Sequence, residues 1–383
     1  MLETQCVVVG AGVSGLAVAR ELSARGREVV VLERAGAVGT ETSSRSNEVI
    51  HAGLYYRPGS PQAVLCARGS LALYEYCARH GIEHLRVGKL VVATDPESVG
   101  WIEDTQTKGL ANGVRGLELL TGEAAARLEP NLRCSAALHS PHTGIVDTHG
   151  LMLAYRGDAE AHGVTFALRT ELVGAAPRGA GFEVQTRSRD GEHTRLRCAL
   201  LINAAGLRAA DVARAVEGMP LSAVPKVHFA KGAFFSLRGR APFRHLIVPE
   251  PKTWRLGGIF TLDLAGRGRF GPDEQWVEAI DYGLADWSSA QAYAAVRRYF
   301  PSLPDGALTP DYAGIQPRLR GPGEPPTDWI FQDERAHGLH GLINLFGLES
   351  PGITASLAIA QTVADLSEGR DLPSTLDAAP QRA

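Results

Sequence analysis

Cys6-Val7-Val8-Val9-Gly10-Ala11-Gly12-Val13-Ser14-Gly15, followed by a helical pattern from Leu16 to Arg25 and a second apolar run, Val29-Val30-Val31-Leu32, ending on Glu33, decides the fold. A strand, a glycine turn, a helix and a second strand in this order form the unit that holds a dinucleotide. Gly10 permits the tight turn, Gly12 lets the backbone approach a pyrophosphate, and Gly15 lets the helix lie close to the sheet. The helix start offers unpaired N–H groups and a partial positive charge to phosphates. Glu33 stands where a carboxylate accepts hydrogen bonds from a ribose diol. A 2′-phosphate would be repelled there, which disfavours NADP.

At 383 residues the chain is too long for one small core and suits two interleaved domains. The 44% hydrophobic and 21% charged fractions are ordinary for a globular protein. A formal net charge of −3, with no basic stripe interleaved with aromatics, speaks against a nucleic-acid partner. The apolar stretches are strand-sized, too short to span a bilayer as helices, so any membrane contact is expected to be peripheral. The glycine turn begins at residue 10, leaving no room for a cleavable signal peptide. The expected location is the cytoplasm, with contact at the inner membrane left open. Cys6, Cys66, Cys77, Cys134 and Cys198 form no CxxC pair, so no metal or redox-dithiol site is expected. Cys6 and Cys198 sit in apolar runs and read as buried small hydrophobes.

Farther along, Leu65, Leu71, Leu73 and Tyr76 are spaced for one buried face of a helix over 61–80. Residues 85–94 read as a strand around Lys89-Leu90-Val91-Val92-Ala93, and 96–112 as a charged helix. A polar turn follows and runs into a short strand ending at Asp147; a helix is expected over 149–162. His142 and Asp147 read as stabilisers of that turn. An antiparallel excursion has strands at 171–173, 182–186 and 195–197. It closes with the apolar strand Ala199-Leu200-Leu201-Ile202, which runs into Asn203-Ala204-Ala205-Gly206 and a helix to Val216. Strands at 231–237, 245–248 and 256–262, a helix at 289–299 and the run 311–318 suggest a mostly antiparallel sheet. A strand at 340–349 leads through Ser350-Pro351-Gly352 into a helix ending near Leu366, and the end beyond Gly369 reads as loosely held.

The chain thus returns repeatedly to its opening unit from a wandering second sheet, which points to a long FAD at the joint instead of a nicotinamide. The expected fold is α/β. A Rossmann-like FAD-binding domain of the glutathione-reductase type is built from residues 1–84, 148–222 and 328–383. An inserted, mostly antiparallel α+β substrate domain takes 85–147 and 223–327.

From its start to about residue 366 the chain resembles the D-amino-acid-oxidase-like FAD-dependent oxidoreductases, and within them the L-2-hydroxyglutarate dehydrogenase/oxidase family. The strings Asn47-Glu48-Val49-Ile50-His51-Ala52-Gly53-Leu54-Tyr55-Tyr56-Arg57-Pro58-Gly59-Ser60, Pro141-His142-Thr143-Gly144-Ile145-Val146-Asp147 and Asn344-Leu345-Phe346-Gly347-Leu348-Glu349-Ser350-Pro351-Gly352 carry the resemblance. Leu73-Tyr74-Glu75-Tyr76-Cys77 and Gly88-Lys89-Leu90-Val91 add to it. Three places depart from the family's pattern: Ser46-Asn47 stands in reversed order, Lys231-Gly232 replaces Arg-Gly, and Gln316 stands where relatives often carry arginine.

The resemblance implies oxidation of a small 2-hydroxy acid, first of all L-2-hydroxyglutarate to 2-oxoglutarate, by hydride transfer from Cα to flavin N5. An amine or amino-acid oxidase of the same fold, taking a glycine- or sarcosine-like substrate, is the alternative. A flavoprotein that holds FAD structurally, or serves RNA modification or assembly, is a third reading, disfavoured by the charge. Oxygen, a quinone and an electron-transfer protein all remain open as electron acceptor.

Such a reaction needs a base, a cation for the carboxylate and dipoles for the reduced flavin. His51 is the first candidate for the reacting region, as base, flavin contact or covalent attachment point. Arg318, with Lys231 second, is expected to take the carboxylate, and Tyr55 to point a phenol into the site. FAD is expected against Gly10, Gly12, Gly15, Glu33 and Arg34. Ser44 and Arg45 are placed near the pyrophosphate, Val173 at the adenine, and Ala205 and Gly206 on the phosphate side. Gly347, Gly352, Ile353 and Thr354 are expected at the last helix start, where N–H groups face flavin N1/O2.

Overall fold

In the computed structural model, which describes residues 2–251, 258–285 and 287–373, the opening strand Leu2–Val9 lies parallel to a neighbour on each side. Val8 pairs with Val31 of Val29–Glu33 and with Ile202 of His193–Asn203. A strand flanked and covered in this way must be apolar on both faces, and Cys6 to Val9 are all buried. The turn beyond it is as tight as backbone permits. Gly10 has φ +101°, and a Cβ there would stand 2.6 Å from the Ala204 carbonyl oxygen. A Cβ on Gly15 would meet the Gly10 carbonyl oxygen at 2.0 Å, so the helix Val13–Ala24 rests directly on the turn.

The first sheet runs in the order Thr170–Arg178, Gly181–Ser188, His193–Asn203, Leu2–Val9, Val29–Glu33, Thr165–Leu168. Leu342–Phe346 adds to His193–Asn203 in parallel, and Ile330–Gln332 pairs with it antiparallel. On one face of this sheet pack the helices Val13–Ala24, Thr148–Ala161 and Gly352–Ser367, sharing a core that includes Leu16, Leu22, Tyr155, Ile359 and Val363.

The second sheet has the order Leu308–Arg318, His228–Leu237, Gly268–Val277, Phe260–Leu262, Leu246–Pro249, Lys89–Ala93, Ala136–Ser140, Glu118–Thr121. Every neighbouring pair is antiparallel except Leu246–Pro249 with Lys89–Ala93. Its core is aromatic, with Phe243 edge-on to Phe260 at 5.1 Å and Phe270 and Tyr299 close by. A Rossmann-like cofactor half joined to a mostly antiparallel substrate half is therefore the architecture. The first sheet draws on residues 2–33, 165–203 and 330–346, the second on 89–140 and 228–318.

Several elements differ from expectation. The two strands expected at 195–197 and 199–202 are one, His193–Asn203: antiparallel to Gly181–Ser188 at its start, parallel to Leu2–Val9 for most of its length. Leu85 falls in a separate strand, His84–Leu85, because Gly88 at φ +72° breaks the run before Lys89. The helix expected from Pro96 begins as a 3₁₀ turn and becomes α-helical at Val99–Ala111. Strand Gly268–Val277 was not foreseen. Of the strand expected over 256–262, Phe260–Leu262 is present, and residues 256–257 lie outside the described residues, as does the tail from 374. Asp147 accepts the Gly150 N–H at 2.9 Å and caps Thr148–Ala161, while the His142 carbonyl accepts the Tyr74 hydroxyl.

Candidate active site

Between the two sheets lies a cavity of about 1140 Å3. That exceeds the roughly 300–1,000 Å3 of a single small-ligand pocket and suits a long cofactor beside a small acid. Its walls come from both sheets, from the glycine turn, from the start of the last helix and from the segment Thr42–Ser60.

At one end, Gly12, Val13 and Ser14 line the wall. The helix they open has no side-chain cap, and the Val13 N–H donates to Ser43 Oγ at 3.0 Å. The first N–H groups of a helix have no partner within it. Gly10 and Gly15 shape this turn from behind the wall. Glu33 braces it, its carboxylate accepting the N–H groups of Ala11 at 2.8 Å and Ala35 at 2.7 Å. Arg34 points outward and pairs with Glu41 at 2.6 Å. Arg45 lines the cavity with its guanidinium 4.0 Å above the Tyr282 ring, and its buried Nε has no hydrogen-bond partner among the described residues. Ser44 is a correction: in the 3₁₀ turn it faces away and donates to the Glu41 carbonyl at 3.3 Å, while its neighbour Ser43 faces the helix start. Gly206, at φ +53°, lines the wall beside Ala204. Ala205 sits behind it, its N–H donating to Asn203 Oδ1. Val173 lies away from the cavity at a bulge, where pairing with Gly181–Ser188 skips from Leu172 to Gly174.

At the other end, Gly352, Ile353 and Thr354 open the last helix, also without a side-chain cap. Gly347 does not reach the cavity; at φ +72° it packs against Leu319, which a Cβ would strike at 2.6 Å. Two helix starts whose own N-cap residues, Gly12 and Pro351, make no side-chain cap face one cavity, and the guanidinium of Arg45, with its unpartnered Nε, lines the same cavity. This donor set fits FAD: phosphates at the first start, the flavin's electron-rich edge at the second.

At this second end stands His51. Its backbone N–H donates to Thr354 Oγ1 at 3.0 Å, and its ring Nε2 lies 3.2 Å from Ser350 Oγ. Burial, helped by the Lys89 charge, pushes the imidazole well below its usual 6.5 and keeps it neutral. Tyr55 lines the cavity with its hydroxyl buried and unpartnered among the described residues; Tyr56 beside it hydrogen-bonds Ser350.

Arg318 reaches the cavity held between Glu274, at 2.9 Å, and Glu349, with Gln316 Oε1 at 2.7 Å. Burial pushes the Glu349 carboxyl up to about 7 against the opposing pull of Arg318. Lys231 is a correction. Ala230 and Gly232 on either side line the cavity, so strand alternation turns Lys231 to the opposite face. There its ammonium donates to Asp281 Oδ2 at 3.1 Å and to the Gly283 carbonyl. Its place as a free cation on the wall belongs to Lys89, which sequence reasoning passed over along with Glu349 and Ser350.

Comparison with known proteins agrees with this picture. The model of the FAD dependent oxidoreductase family, DAO, matches residues 5–366. The mitochondrial L-2-hydroxyglutarate dehydrogenase of Arabidopsis thaliana is 41% identical over 399 residues, covering 94% of this chain and 82% of the plant protein. Glycerol 3-phosphate dehydrogenase of Caloramator mitchellensis is 28% identical, covering 94% of this chain and 72% of that one. The L-alpha-glycerophosphate oxidase of Mycoplasma pneumoniae, solved with FAD bound, shares the fold with a TM-score of 0.85 and 22% identity, over 96% of this chain and 95% of that chain. Family match, fold and donor set coincide, and the chain belongs to the DAO family of FAD-dependent oxidoreductases.

Proposed function

We propose that this protein oxidises L-2-hydroxyglutarate to 2-oxoglutarate. The observation that carries the reading is His51, fixed on the wall beside the last helix start by its bond to Thr354, in a cavity that also holds Arg318. The identity to the plant dehydrogenase supports the choice of acid.

When bound, FAD supplies the hydride acceptor. His51 takes the hydroxyl proton at Nε2 as the Cα–H bond gives up its electron pair with the hydrogen and the C=O bond forms. Arg318, a planar fork, orients the carboxylate beside the reacting carbon, with Glu274 and Glu349 holding the guanidinium in place. Tyr55 closes the wall near the reacting end with its free hydroxyl. The proposed division is a cofactor domain of 1–84, 148–222 and 328–383 and a substrate domain of 85–147 and 223–327. Two further parts go with it: electrons leave for oxygen, a quinone or an electron-transfer protein, and the protein works in the cytoplasm, with contact at the inner membrane left open. Cell fractionation checks the location.

The test is anaerobic mixing of the yellow holoenzyme with L-2-hydroxyglutarate, glycine and sarcosine in separate cuvettes. Bleaching by the hydroxy acid alone is expected. Bleaching by an amine alone would transfer the protein to the amino-acid oxidases, and bleaching by none would leave FAD a structural role.

A further inference from the structure

Lys89 opens the strand Lys89–Ala93, and its backbone is paired on both sides, with Leu246 and with Ser140. The residue is 3% exposed and its side chain lines the cavity. Among the described residues no hydrogen bond or ion pair reaches its ammonium, which lies 5.3 Å from the centroid of the Tyr55 ring. The titratable groups that sense it are the Cys66 thiol, on the helix Pro61–His80, and the His51 imidazole, and neither is an anion. Taking an ammonium out of water without a partner is costly. Burial already pulls Lys89 down to about 8. Arg318, in the same cavity, has two carboxylates of its own. Lys89 is thus a buried cation whose counter-charge must arrive with the ligand.

We propose that Lys89 anchors the distal carboxylate of the substrate and makes the enzyme select a dicarboxylate over a monocarboxylate. This rests on the 2-hydroxy-acid reading above. The carboxylate beside the reacting carbon needs fixed orientation, which a forked guanidinium provides. The far carboxylate needs only charge at the end of a flexible chain, which suits a compact ammonium. The carboxylate beside the reacting carbon then falls to Arg318 and the far one to Lys89.

The test compares wild-type, K89M and K89R holoenzymes on L-2-hydroxyglutarate and L-2-hydroxypentanoate, which has a methyl in place of the distal carboxylate. For K89M, kcat/KM on the dicarboxylate is expected to fall about 100-fold, chiefly through KM. On the monocarboxylate it should stay within roughly threefold, so the selectivity collapses. K89R should recover part of the loss. Calorimetric titration with glutarate, which cannot react, should show the same weakening without turnover. K89M removes a buried unpaired charge, so its thermal midpoint should hold or rise; K89Q serves as a second neutral variant. Equal losses on both acids, or full activity of K89M on L-2-hydroxyglutarate, would overturn the assignment. If wild-type flavin is not reduced by L-2-hydroxyglutarate, the reading of the reaction fails, but glutarate binding that is lost in K89M still supports Lys89 as the dicarboxylate anchor.

Discussion

Thr354 ties the segment Val49 to His51 to the last helix: its Oγ1 accepts the His51 N–H at 3.0 Å, and its own hydroxyl donates to the Val49 carbonyl at 3.3 Å. The two residues are 303 positions apart in the chain. Thr354→Val keeps the shape and orphans both groups. A loss of about 1–3 kcal/mol is expected, read by thermal or denaturant unfolding, with kcat falling more than KM as the imidazole loses its alignment. T354S, which restores the hydroxyl, should recover most of both.

His51→Ala should lower kcat by about 10²–10⁴ if the imidazole is the base. Because its folded-state pKa lies below 6.5, His51 stays unprotonated as pH falls through 6.5. The acid limb of kcat/KM is therefore expected below pH 6.5; a limb at or above that value would count against the assignment. The unfolded chain accepts that proton at 6.5 while the folded one resists it, so stability present above 6.5 is lost as pH drops further.

The ammonium of Lys89, at about 8, gives an alkaline counterpart. Above pH 8 the free enzyme loses this charge, and kcat/KM for L-2-hydroxyglutarate should decline. The decline should be absent with L-2-hydroxypentanoate and should move well upward in K89R, since a guanidinium keeps its proton. Stopped-flow flavin reduction across pH 6–10 would show it.

Gly15→Ala places a methyl 2.0 Å from a backbone oxygen that cannot move aside. Roughly 1–3 kcal/mol of destabilisation or more is expected, with a lower yield of yellow protein. Gly157→Ala is the contrast: it lies within the helix Thr148–Ala161 with nothing inside 4 Å of the new methyl. That change should stabilise by about 0.5–1 kcal/mol. Flavin content and melting temperature of the two variants, measured side by side, decide it.

The opening unit is legible in sequence because its apolar runs, glycine spacing and terminal acid are all local signals. Strand Gly268–Val277 is not: Gly271, Pro272, Asp273 and Glu274 erase the period-two pattern, and the two acids are buried by partners far away in the chain. Lys89 hides for a related reason. A lysine at the head of Leu90-Val91-Val92-Ala93 looks like a solvated strand end, and only the pairing with Leu246 and Ser140 turns it inward. Lys231 misleads in the opposite sense. The family pattern marks its position, but which face of the strand it takes depends on register, and Ala230 and Gly232 have the cavity side. Glu349 and Ser350 stand in a motif quoted from sequence, yet their roles arise only from contact with Arg318 and His51.

The segment after Glu41 has a mechanical consequence. Thr42 donates to the Ile315 carbonyl, Arg45 to Ala313, and the Ser46 carbonyl accepts the Tyr312 hydroxyl, while Ser43 holds the opposite body through Val13. Swinging the halves apart like a hinged shell would break these bonds together, at about 1 kcal/mol each. Entry and exit of acid and keto acid by small local movements at the rim would leave this clasp intact.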